Sequence, residues 1–360
     1  MRIYWYTTDR TKDIFLKRLK ETLTIIEHSE IKEKYSNNKI IKLIQMGNFF
    51  KKKCITHIIV DGFSIEVLLV SIIARYLNIC VVVRVRGGMN NEFLDDFRDL
   101  NPITRNIKNI YFSQVRNFIL RKANKIITVS VFGKAQILYE LPFIPSEKID
   151  SVTEPTIKRQ IKGIDKAKIT KLLEHNKIIT TVTSFRYFRK YDAVIHYHKS
   201  VLKVLHDNPQ WSWIIAGDGK GLRQVKKVLF DSAHAFGVEK QIKFLGFVED
   251  IPLLLSQTDI FFYPTFRDTA AQALKEGEIF GLPVLINRSS CGPLEFIPPC
   301  ADCQKEIFEE SYELEAAMQK LIDSEIYRKK LGKLNQDFAF KNYNIETISN
   351  KFIRLLKQSQ

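Results

Sequence analysis

Short runs of β-branched and aromatic residues alternate with amphipathic stretches along the whole chain. Residues 2–8 read as a strand, and 11–27 as a helix with Phe15, Leu19, Leu23 and Ile26 on one face. A helix fits 39–53. Then "ITHIIVDG" (55–62) reads as a buried strand, 63–77 as a helix, and "CVVVRVRGG" (80–88) as a strand ending in two glycines. Residues 104–123 have a helical pattern, "ANKIITVS" (123–130) a strand pattern, and a helix follows to about Leu141. Strands that alternate with helices imply a parallel sheet covered on both faces.

Residues 151–175 break this rhythm. The stretch is polar and charged and contains a Pro, which suits a linker between domains. A second alternation then begins. Strands are expected at 177–184, 212–219, 241–245, 259–264 and 282–287, with helices at 191–207, 221–236, 250–256 and 269–280; the tail, 312–358, reads as helical. The reading is α/β with two doubly wound domains, whose ligands would sit in a cleft at the carboxyl ends of the strands. The expected boundaries are 1–155 and 165–340, with 341–360 as a helix packing back on the first domain.

Composition adds little to the fold but changes the choice of partner. Apolar residues make up 45% and charged residues 27% of the 360, as in ordinary globular proteins. The net charge of +16 is uneven, since 27 Lys and Arg against 16 Asp and Glu leave +11 of it in residues 1–160. A basic first half predicts an anionic partner: a membrane surface, nucleic acid or a phosphorylated substrate. No stacking and basic stripe of a known nucleic-acid module is recognisable, so a nucleic-acid partner is not expected. The chain opens on a strand pattern without a signal peptide, so a cytoplasmic location is expected. "FLKRLK" (15–20) and "FFKKK" (49–53) mix aromatics with cations and could lie on anionic lipid at the inner membrane face. Five cysteines fit reduced thiols. "CADC" (300–303) is a lone CxxC without nearby His, so no metal is expected.

Candidate chemistry gathers in the second half. In "PTFRDTAAQALKEGEIFGLPV" (264–284), Asp268 and Glu276 stand eight residues apart. If a helix begins after Pro264, Asp268 caps it and both acids fall near one side. Two acceptors at that interval could hold hydroxyls at both ends of a folded nucleotide-sugar, while first-turn N–H groups meet a diphosphate. A helix cap and a solvated Glu would give the same spacing. "TSFRYFRKYDA" (183–193) puts Arg186, Arg189 and Lys190 on a strand-to-helix loop, where cations could neutralise a diphosphate. "IIAGDGKG" (214–221) is a glycine loop whose Gly217 and Gly219 would let backbone approach a phosphate or base. In "FLGFVEDIP" (244–252), Phe247 and Val248 could bracket a flat base. Asp61 and Ser64 follow a buried strand and could touch acceptor or sugar. His57 reads as a core histidine, and His196 and His198 do not face each other.

Cations, glycine loop, apolar turn and acid pair in this order resemble the nucleotide-sugar-dependent glycosyltransferases of family 4 (group 1). The acid pair followed by "GLPV" (281–284) is similar to that family's Glu-x7-Glu and Gly-x-Pro-Val, with Asp268 in the first place. The segments 123–149 and "RVRGG" (84–88) resemble its first domain. The resemblance implies a GT-B fold: two Rossmann-like domains facing a central cleft. It implies a retaining hexosyltransferase that needs no bound metal or cofactor and uses a nucleotide-sugar, a UDP- or GDP-sugar, as substrate. A glycan or lipid-linked acceptor in envelope or exopolysaccharide synthesis would follow.

By the same resemblance Glu276 holds the ribose, and Asp268 faces the transferred sugar. Arg186 with Lys190 or Arg189 binds the diphosphate. Arg86, beside Gly87, stands where relatives carry a histidine. Thr269, Ala270 and Ala271 replace the glycines usual after the first acid and narrow the space beside the diphosphate. The alternative function is therefore a catalytically impaired nucleotide-sugar-binding protein of the same fold.

Overall fold

The computed structural model describes residues 1–6, 14–28, 39–87, 100–164, 166–170 and 177–359. They form two compact units, Met1–Pro155 with Ile345–Gln360, and Thr156–Asn344. Residues 7–8 of the first expected strand, 11–13 of the first expected helix, Gly88, and 165 and 171–175 of the expected linker lie outside the described residues.

The first unit runs β1 (Arg2–Tyr6), α1 (Ile14–Lys20), β2 (Thr24–Glu27), α2 (Lys39–Lys52), β3 (His57–Asp61), α3 (Ile65–Tyr76), β4 (Cys80–Val85), α4 (Pro102–Lys122), β5 (Lys125–Thr128), α5 (Val131–Glu140) and β6 (Ile149–Ser151). The strands form one parallel sheet in the order β2-β1-β3-β4-β5-β6. Its central strands are apolar on both faces because helices cover both. The helix expected over 11–27 ends early. Thr24–Glu27 instead pairs in parallel with β1, as Thr-Ile-Ile favours an extended backbone. The chain's last helix, Ile345–Lys357, belongs to this unit, and Phe352 stacks on Trp5 with ring centroids 5.8 Å apart.

The second unit runs α6 (Lys166–Thr170), β7 (Lys177–Val182), α7 (Phe188–Asp207), β8 (Trp211–Ala216), α8 (Leu222–Phe236), β9 (Ile242–Gly246), α9 (Ile251–Ser256), β10 (Ile260–Tyr263), α10 (Gln272–Ile279), β11 (Val284–Asn287), α11 (Ala301–Gln304), β12 (Ile307–Phe308), α12 (Ser311–Asp323) and α13 (Glu325–Asn342). Its parallel sheet has the order β12-β11-β10-β7-β8-β9. Trp211, Trp213, Phe261, Phe262 and Phe308 fill the core with more than a hundred square ångströms each of apolar ring surface, on the order expected for aromatics. Cys300 and Cys303 are paired as a disulfide, which corrects the expectation of reduced thiols throughout. Their Cα atoms are 5.3 Å apart, the reach of such a bond.

Candidate active site

The chain winds outward from β7 through β8 to β9, then returns to the other side of β7 and continues β10, β11, β12. The winding therefore reverses between β7 and β10, which pair directly. Loops that leave two such strands at their carboxyl ends diverge and leave a crevice. A hollow of about 230 Å³ opens there. Thr183, Ser184 and Lys190 form one wall, and Tyr263, Thr265, Asp268 and Gln272 the other.

Asp268 is the best-held group in it. Tyr263 Oη donates to Asp268 Oδ2 at 2.5 Å, and Lys190 Nζ is 3.2 Å from the same oxygen. The Thr269 N–H donates to Oδ1 at 2.7 Å, and the Ala270 N–H at 3.4 Å. Burial alone would raise the carboxyl; Lys190, the Tyr263 hydroxyl and the Thr269 N–H outweigh it, so the group stays below its ordinary value. Tyr263 is pushed far up, by burial first and then by the charge of Asp268, and remains a phenol that donates.

The expected cap geometry is corrected. The helix begins at Gln272, not 269, and its N-cap residue Ala271 sits at φ 45° in the left-handed region. A side chain there costs about 1–2 kcal/mol relative to glycine. The turn keeps a glycine's shape although it carries a methyl, and Ala271 is fully buried. Asp268 and Glu276 are therefore not on one continuous helix. Asp268 caps its own turn, and only Glu276 rides on α10.

Glu276 is claimed from outside that motif. Arg159 Nη2 donates to Glu276 Oε1 at 2.8 Å, and Gln272 Nε2 donates to Thr156 Oγ1 at 3.1 Å. Residues 156–159, read as part of a linker, thus lie along α10. Burial pushes the Glu276 carboxyl above its ordinary value even though Arg159 pulls it down.

Three cations stood open for the diphosphate. Lys190 lines the hollow. Arg186 and Arg189 flank the ring of Tyr187, each 5.3 Å from its centroid, and Arg186 is exposed. The glycine loop also has a packing task. A β-carbon at Gly217 would run into the Thr183 carbonyl, and one at Gly219 into the backbone of Phe185 and Arg186. Gly217 and Gly219, at φ 138° and 144°, let β8's loop press against the cationic loop. The Phe185 N–H donates to the Asp218 carbonyl at 3.1 Å across this junction. Val248 is corrected too: it is buried with Ile178, Ile214 and Leu245 and cannot bracket a base, whereas Phe247 is 69% exposed.

In the first unit, Arg86 Nε donates to Glu154 Oε1 at 2.6 Å, and Arg84 Nη2 reaches the same oxygen at 2.7 Å. Gly87 follows at a bend. Ser64 caps α3 by accepting from the Val67 N–H, and Asp61 accepts from Trp5 Nε1 at 3.3 Å. His57 is buried, and His198 bonds Ser232 Oγ at 2.8 Å. Sequence reasoning missed Tyr263 and Arg159: the first read as a strand end and the second as linker charge.

The family model described as "Glycosyl transferases group 1" matches residues 164–338. No curated protein matches the chain. Among solved structures, Anabaena Alr3699/HepE in complex with UDP superposes with a TM-score of 0.73 at 15% identity, covering 99% of this chain and 100% of that one. The same protein in complex with UDP-glucose gives 0.71 at 14% identity, again covering 99% and 100%. Sucrose-phosphate synthase from Thermosynechococcus elongatus gives 0.68 at 12% identity, covering 99% and 98%. At these identities the likeness establishes the fold, which is GT-B.

Proposed function

Starting from a chain whose residues 164–338 are a glycosyl transferases group 1 domain on a GT-B fold, we propose that it transfers a hexose from a nucleotide-sugar to a glycan or lipid-linked acceptor, with retention of anomeric configuration. The observation that carries this reading is the crevice between β7 and β10, where a cation, a buried carboxylate and a helix start converge. UDP-glucose and UDP, held by the Anabaena neighbour, are the first donor and the first nucleotide to try.

The chemical task is to stabilise a departing diphosphate while the glycosidic bond stretches toward an oxocarbenium-like state. Lys190 and Arg186 take the phosphates, with α10's first N–H groups beside them. Charge-assisted hydrogen bonds contribute about 1.5–3 kcal/mol each, so two of them supply about two to four orders of magnitude in rate. Asp268, kept ionised, accepts a hydroxyl of the transferred sugar, and Glu276 accepts the ribose. Arg86, held by Glu154, is assigned to the transferred sugar, and the pathway would be envelope or exopolysaccharide synthesis.

One observation favours a second reading, an impaired binding protein: Asp268 already accepts from Tyr263, Lys190 and two backbone N–H groups. A thermal-shift series with UDP, GDP, ADP and their sugars, followed by product analysis with a simple hydroxyl acceptor, tests both. Binding with transfer supports the enzyme, binding without transfer the second reading, and no binding to any nucleotide removes both.

A further inference from the structure

The membrane-facing stretches expected at 15–20 and 49–53 turn their aromatics inward, since Phe15 and Phe50 are buried. A different surface of the first unit has the opposite character. Helix α4 buries Val115, Ile119 and Leu120 against the unit. Its far side should then be polar. Instead Ile103, Ile107, Ile110, Tyr111 and Phe118 stand there, with exposures from 41% at Phe118 to 74% at Ile103. At 100° per residue these five fall within about a third of a turn, opposite Ile119 and Leu120, with Val115 at the border beside Tyr111.

The neighbours extend the pattern. Helix α3 packs against both α2 and α4. Ile72 and Tyr76 of α3 and Ile41 and Ile44 of α2 are exposed as well. Cations accompany them: Lys108, Arg121 and Lys122 on α4 are exposed. Neither α4 nor α2 contains an Asp or Glu. No helix among the described residues is long and apolar enough to cross a membrane, so this apolar surface is not a span.

We propose that the outer face of α4, continued by α3 and α2, docks the protein on an anionic lipid bilayer. A helix of 21 residues, about 30 Å long, would lie in the interface plane with its isoleucines and aromatics among the acyl chains and its cations at the headgroups. Charge decides against a second copy of the chain. A two-fold contact would set the acid-free, cationic α4 and α2 against their own copies, and the acid of α3, Glu66, is already paired with Lys42 of α2. The proposal does not depend on the reaction assigned above.

The test is flotation of the full chain with vesicles of phosphatidylcholine alone and with about one third phosphatidylglycerol, at low and high salt. The expected result is binding to the anionic vesicles that weakens with salt. The double variant Ile107→Glu, Ile110→Glu should lose about tenfold or more in vesicle affinity. Arg121→Ser with Lys122→Ser, which leaves the apolar face whole, should lose binding to anionic vesicles. Unchanged circular-dichroism melting of each variant separates docking from folding. No binding at low salt overturns the proposal. So does wild-type binding by the isoleucine variant, or a dimer in analytical ultracentrifugation that this variant abolishes, which would give the face to a second copy.

Discussion

Lys190 and Tyr263 meet on a single oxygen, Oδ2 of Asp268, at 3.2 Å and 2.5 Å. One comes from the helix after β7 and the other from the end of β10, so the pairing of these two strands builds the charge centre of the hollow. Lys190→Ala would leave a buried carboxylate with neutral partners only. The expected cost is about 2–3 kcal/mol in denaturant unfolding, with turnover down about 10²–10³-fold. Lys190→Arg should recover part of both. Near-normal turnover in the alanine variant would remove Lys190 from the diphosphate role.

Tyr263→Phe removes the shortest bond to Asp268 and keeps the ring. Burial, which raises the carboxyl, then meets less opposition from hydrogen bonding. The carboxyl should climb toward its ordinary value, and the acidic limb of the kcat/KM profile should move to higher pH with it. A packing role alone would leave that limb in place while lowering stability.

Much of this frame was legible in the chain. Runs such as "ITHIIVDG" and "SWIIAGDG" are too apolar for half-buried strands and too short for helices, so parallel sheets followed. Strands β2, β6 and β12 escaped because two to four residues carry no period of their own and extend only by pairing. The choice among Arg186, Arg189 and Lys190 could not be made from spacing, because the β7–β10 register decides which cation reaches an acid 78 positions away. Arg159 was hidden for a related reason: its partner is set by how 156–159 crosses α10. The outer face of α4 has a period that reads as a core stripe. Only packing shows that Val115, Ile119 and Leu120 form the inner one.

Two glycines at positive φ should respond differently, since φ 138° at Gly217 is nearly closed to other residues and φ 68° at Gly237 is only unfavourable. Gly217→Ala places a methyl against the Thr183 carbonyl at φ 138°. Gly237→Ala, at φ 68°, meets nothing within 4 Å. The second should cost about 1–2 kcal/mol, from backbone strain alone. The first should cost more, about 3 kcal/mol or above, because backbone must shift as well. It should also lose nucleotide binding, since Thr183 lines the hollow. Equal losses in the two variants would mean that the loops can part freely.

Arg159→Ala isolates the carboxyl of Glu276. Burial already holds that group high, and Arg159 is the first force against it. Without the arginine the carboxyl rises further, so a larger fraction is protonated as pH falls. If Glu276 accepts ribose hydroxyls, the loss of UDP affinity on acidification should set in at higher pH in the variant than in the wild type. Isothermal titration over a pH series checks it. A uniform loss at all pH values would assign Arg159 to direct contact with the nucleotide instead.

Beneath α10 a second acid is held even more firmly against ionisation. Glu306 is buried, which pushes its carboxyl from 4.5 to about 8, while the Val284 N–H and the Asn335 amide pull it back. Between these two values the folded chain holds a proton that the unfolded chain has released. Stability therefore falls as pH rises across that window, at a limiting slope of about 1.4 kcal/mol per pH unit for this one group. Below pH 4.5 both states are protonated, and above about pH 8 both are ionised, so its contribution levels off at each end. Glu306→Gln keeps an acceptor for the Val284 N–H, and its amide takes the place of the oxygen that accepts the long 3.5 Å bond from Asn335 Nδ2. The variant should flatten the decline in unfolding free energy measured by urea titration from about pH 5 to pH 8 and gain most at the alkaline end. Glu278, raised by burial and by Glu306 itself, retains the same sign of dependence, so some decline should persist. An unchanged slope in the variant would mean that Glu306 ionises in the folded chain without cost, with water reaching it between β11 and α13.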